Sequence, residues 1–137
     1  MMNNPILLSV FSALTFAAWP IISRFSGLPG IWVSLTMSVG TLIAVIVGKM
    51  FFPGGDAIYT KAIALGILAG AVNGAGIIAF GLITSNKNWD ISIYIPMTFG
   101  VMLALASISG IVLLGESLSP QKIIGVLVII FGIYLIR

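Results

Sequence analysis

Residues 91–114 read ISIYIPMTFGVMLALASISGIVLL, twenty-four in a row without one charged side chain. At about 1.5 Å of rise per residue, a helix of that length is about 36 Å long and can cross a hydrocarbon core about 30 Å thick. A water-soluble domain would have to bury such a segment on every side. This chain cannot do so, because 60% of its 137 residues are hydrophobic and only 7% are charged. Its mean hydropathy is +1.25. The bilayer is therefore the solvent.

Working outward, three further apolar segments precede this one, Pro5–Ser23, Gly30–Gly48 and Lys61–Thr84, and Pro120–Ile136 follows it. The expectation is an all-α membrane protein of five transmembrane helices, forming a single membrane domain over 1–137. Five spans of about 20 residues use about 100 residues, which leaves short turns and no room for a soluble module. Turn residues punctuate the spans at Gly27-Leu28-Pro29-Gly30, Phe52-Pro53-Gly54-Gly55-Asp56, Thr84-Ser85-Asn86-Lys87-Asn88 and Gly115–Pro120. In the last of these, Ser119 reads as an N-cap with Pro120 at the first helical position. The first segment lacks a basic leader and a small-x-small cleavage site, and so reads as a retained helix.

The fifth segment is the shortest. Ile123–Ile136 holds fourteen uncharged residues, about 21 Å of helix. It spans if the Pro120 turn is included and Lys122 and Arg137 snorkel to the two interfaces. The alternative is a helix lying on the surface, but beyond Tyr134 the segment has no polar face to present to water.

The six cations divide evenly. Lys49, Lys61 and Lys122 fall on the face that holds the N-terminus, and Arg24, Lys87 and Arg137 on the other. Lys/Arg excess near helix ends sets orientation, and here there is none. Such a chain either inserts both ways or takes its orientation from a partner. Although the isoelectric point is near 9.6, single cations at helix ends are interfacial anchors, which argues against nucleic-acid binding.

Asp56, Asp90 and Glu116 are the only acids, all in turns, and the chain has no Cys and no His. That residue set argues against an enzyme, a metal site or a cofactor. Four residues are candidates to line a solute path. Asn73 is strongly polar near the middle of a span, and reads either as a solute contact or as a hydrogen bond between helices. Trp19, beside Pro20 and one turn from Thr15, reads as a belt anchor or a stacking surface. Ser9, Ser12 and Thr15 share one helical stripe. Tyr94 stands beside Pro96, whose ring frees a backbone carbonyl. Trp32 and Trp89 read as belt residues and Arg24 as interfacial. Gly66, Gly70 and Gly74 repeat at four and mark a close helix approach, as do Gly125 and Gly132, seven apart.

The run Leu113-Leu114-Gly115-Glu116-Ser117-Leu118-Ser119-Pro120-Gln121-Lys122-Ile123-Ile124-Gly125, continued to Gly132 and Tyr134, resembles the end of one EamA-type repeat of the drug/metabolite transporter superfamily. The resemblance lies in the Gly-Glu, the Ser/Pro turn and the Gly-x6-Gly of the closing helix, with span count covering the remainder. It implies a half-transporter. Members of that superfamily resemble two five-helix units in tandem, the second inverted because the span number is odd. A single unit would restore the missing half by pairing with a second copy, antiparallel, around a central site. The related small multidrug resistance branch carries a membrane glutamate in its first helix, where this chain has Ser9, Ser12 and Thr15 and no acid. That departure points to neutral or zwitterionic solutes. The resemblance thus implies alternating-access transport of a small metabolite or drug-like solute across a prokaryotic inner membrane, with Thr15, Trp19, Asn73 and Tyr94 lining a cavity and Glu116 holding the last turn. An accessory subunit, or half of a heterodimer, is the alternative.

Overall fold

The computed structural model describes residues 4–52 and 59–136. Asn3, Asp56 and Arg137, and most of the expected 52–56 turn, lie outside the described residues. Five helices follow in order: α1 (Pro5–Ser26), α2 (Gly30–Phe51), α3 (Thr60–Ser85), α4 (Ile91–Leu114) and α5 (Pro120–Ile136). The first four are long and apolar enough to cross a membrane, and α5 is an apolar helix of 17 residues. The chain is a multi-pass membrane protein.

Local chemistry sets the helix ends. The Asn4 side-chain carbonyl accepts from the N–H of Ile6 at 3.0 Å and of Leu7 at 3.4 Å, and Pro5 opens α1 where its missing N–H costs nothing. Gly27 stops α1 by turning left-handed at φ 66°. α1 therefore runs past the expected Ser23 to Ser26: Ser23 and Ser26 return their hydroxyl protons to the carbonyls of Pro20 and Ser23, and the polar turn stays helical. α2 likewise continues to Phe51. Gly115, at φ 68°, ends α4, and the N–H groups of Gly115 and Glu116 both reach the Gly110 carbonyl. The Ser119 hydroxyl accepts from the Lys122 N–H at 3.3 Å, so the expected N-cap of α5 is formed.

The chain divides into two compact units, Met1–Lys87 and Asn88–Arg137. In the first, α3 packs chiefly on α2 and to a lesser extent on α1. The buried residues Pro20, Gly30, Val33, Ser34, Phe80, Gly81 and Thr84 all sit at one end, where α1 finishes, α2 begins and α3 finishes. Toward the other end, α3 is exposed from Lys61 to Asn73. In the second unit α4 packs on α5. There a Cβ at Gly100 would stand 2.6 Å from Ile133 Cγ1, so the isoleucine side chain packs directly on the glycine and would have to shift for a larger residue. Elsewhere the helices present exposed Leu, Ile, Val and Phe, as lipid-facing surfaces do.

Hydroxyls inside the helices bond backward to their own chain. Ser9, Thr36, Ser38, Thr98 and Ser107 each donate to the carbonyl four residues earlier. Ser34 also reaches across, to the Ile77 carbonyl at 3.0 Å.

Candidate functional site

The packed end of the first unit holds a cleft between α1 and α2. It has a volume of about 260 Å³ and is lined by Trp19, Ile22, Ser23, Ser26, Leu28, Val33, Thr36 and Met37. The first helix contributes its last two turns, which begin at the buried Pro20. Trp19 forms one wall and is itself backed by Phe80 of α3, with ring centroids 4.7 Å apart and planes inclined at 47°. Its indole N–H has no hydrogen-bond partner among the described residues. The hydroxyl protons of Ser23, Ser26 and Thr36 are committed to carbonyls of their own helices, so these oxygens offer lone pairs to the cleft. No charged side chain lines it. The cleft therefore suits a small body with an apolar surface and uncharged polar groups, and gives a bare charge nothing to pair with.

Arg24 lies at the edge of this region but is engaged elsewhere. One guanidinium nitrogen donates to the carbonyls of Thr84 at 3.0 Å and Asn86 at 2.6 Å. Those carbonyls belong to the end of α3, where the helix leaves acceptors unpaired and a partial negative charge. Arg24 thus caps α3, a role its sequence position alone does not reveal.

Of the four residues expected to line a solute path, Trp19 lines the cleft. Thr15 is exposed and its hydroxyl donates to Ser12 at 2.9 Å and to Phe11 at 3.2 Å, on its own helix. Asn73 is exposed on the open part of α3, and its amide makes no hydrogen bond among the described residues. Tyr94 belongs to the second unit, where its ring stands 5.9 Å from that of Trp89.

The glycines separate in the same way. A Cβ placed at Gly66, Gly70, Gly74, Gly125 or Gly132 would meet nothing within 4 Å. Close approach occurs at other glycines. A Cβ at Gly81 would stand 2.8 Å from the Gly30 carbonyl oxygen and would collide with the Ser34 hydroxyl. One at Gly30 would stand 3.1 Å from the Leu82 Cα. Gly30 stands four before Ser34, and Gly81 four before Ser85, so each sits in a small-xxx-small spacing, but in neither is the neighbour a second glycine.

In the second unit Glu116 and Lys122 form an ion pair at 3.2 Å. The carboxylate lies over the last turn of α4, where a Cβ on Gly110 would be 3.1 Å away. Among the described residues no group of three or more His, Cys, Asp or Glu could hold a metal ion. Comparison with protein-family profiles, characterised proteins and solved structures found no match.

Proposed function

We propose that this chain is one repeat of a membrane transporter, working with a second, antiparallel copy of itself to move a small neutral or zwitterionic solute by alternating access. The observation that carries this reading is the Trp19 cleft, an uncharged, partly polar recess in a chain otherwise built for lipid. It has an aromatic wall for stacking, an unpartnered donor and hydroxyl acceptors. The even division of cations supports dual insertion. The Gly115–Gly132 resemblance to an EamA-type repeat supports the half-transporter assignment, with an inner-membrane setting and α5 as the fifth span. In this reading the protein is not an enzyme and needs no cofactor. Thr15, Asn73 and Tyr94 join the path only in the assembled pair.

The test is uptake. Purified protein in proteoliposomes should accumulate members of a mixed pool of uncharged and zwitterionic metabolites above protein-free vesicles, measured by mass spectrometry of the lumen. Trp19→Ala should remove most of that uptake while Trp19→Phe keeps part of it. Single cysteines at Asn4 and Asn88 should label from both sides of the membrane. Labelling from one side, or no uptake by folded protein, would favour the accessory-subunit reading. That reading draws support from the open glycine faces of α3 and α5.

A further inference from the structure

A second recess lies in the Asn88–Arg137 unit, along the seam between α4 and α5. It has a volume of about 170 Å³. Ile108 and Ile111 form one wall, Ile123 and Leu127 the other, and Leu118 and Lys122 close one end. The walls are aliphatic, and the end is charged. Lys122 contributes its stem to the recess while its ammonium pairs with Glu116, both side chains remaining about half exposed at 42% and 53%. The apolar part extends about 8 Å from the Lys122 level, five residues of α5 at helical rise. That is the depth direction and polarity order of one phospholipid, an acyl chain inward and a headgroup at the interface.

We propose that this seam is a binding site for a phospholipid with a zwitterionic, amine-bearing headgroup. The charges at its mouth are one of each sign. The lipid phosphate accepts from Lys122, and its primary ammonium donates to Glu116, so that four charges alternate without a net excess. A choline headgroup has no N–H to donate, and a glycerol headgroup brings no cation, leaving two negative charges against Lys122 alone. The helix order reinforces this, because α5 begins at this end and its partial positive charge favours the phosphate. The inference does not depend on the transport reading.

The test is titration of delipidated protein, kept folded in mild detergent, with phosphatidylethanolamine, phosphatidylcholine and phosphatidylglycerol of identical chains, read by native mass spectrometry. The wild-type protein should bind the ethanolamine lipid about three- to fivefold more tightly than either other, the discrimination expected of half-exposed ion pairs. Glu116→Gln should transfer the preference to phosphatidylglycerol, and Lys122→Gln should weaken phosphatidylglycerol most, since Glu116 then faces its phosphate with no cation beside it. Leu127→Trp, which fills the recess, should weaken all three lipids alike. Equal binding of the three lipids by wild-type protein, which needs no variant, would overturn the site. So would a Leu127→Trp protein that binds lipid normally but no longer self-associates, since the occupant would then be a second copy.

Discussion

The two ends of α3 are both apolar and rich in small residues, yet they have opposite fates. From Ile77 to Ser85 the helix is held: Phe80 stacks on Trp19, Gly81 admits α2, Thr84 is completely buried, and Arg24 closes the carbonyl end. From Lys61 to Gly76 it carries more glycine and touches almost nothing. Small residues permit close approach but do not cause it. A neighbour must offer a matching surface, here the Gly30–Ser34 turn of α2. The unit is packed at one end and exposed along α3 at the other, and the Trp19 cleft lies at the packed end.

The sharpest way to break this contrast is bulk at its tight point. Gly81→Val should lower stability by ~3 kcal/mol or more, because the new side chain meets backbone as well as a hydroxyl. The measure is the midpoint of denaturant unfolding in detergent. Adding Ser34→Ala should recover little, since the Gly30 carbonyl oxygen remains 2.8 Å from the new Cβ; full recovery would show that the hydroxyl alone sets the spacing. Arg24→Gln comes next, at about 1–3 kcal/mol for charge-assisted hydrogen bonds lost from the α3 terminus. Arg24→Lys should restore only part of that, lacking the planar fork.

Asn73→Leu tests the open half. With no hydrogen-bond partner among the described residues, the change should alter unfolding by less than ~0.5 kcal/mol yet remove uptake if the amide contacts solute. A loss approaching ~2 kcal/mol instead would identify Asn73 as a hydrogen bond between helices. Smallest in stability is Gly74→Leu, expected to leave the isolated chain unchanged and to reduce crosslinking between copies. An unchanged crosslink yield would mean that this face meets only lipid.

Much of the architecture is legible in the residues. Ile91–Leu114 and Pro120–Ile136 coincide with the expected segments, because Gly115, Ser119 and Pro120 are strong local signals. α1 and α2 outrun their apolar stretches because a helix ends where capping chemistry ends it, not where hydrocarbon does. The ion pair at Glu116 agrees with its reading as the residue that holds the last turn. The cleft was only half visible. Trp19 could be singled out by its proline and its interface position, but Thr36 and Met37 line the recess through a helix crossing that no spacing encodes. The Arg24 cap spans sixty residues of sequence to reach Thr84, and a lone interfacial arginine gives no sign of it.

The backward hydrogen bonds of the serines and threonines bear on biogenesis. Because Ser9, Thr36, Ser38, Thr98 and Ser107 return their protons to their own helices, those segments carry few unsatisfied donors when they leave the translocon. Each can partition into lipid alone, before any neighbour arrives, and assemble laterally afterwards. The Ser34–Ile77 bond and the Arg24 cap tie one helix to another by hydrogen bonds in the first unit. Both bonds end on α3, so neither can form until α3 has been made.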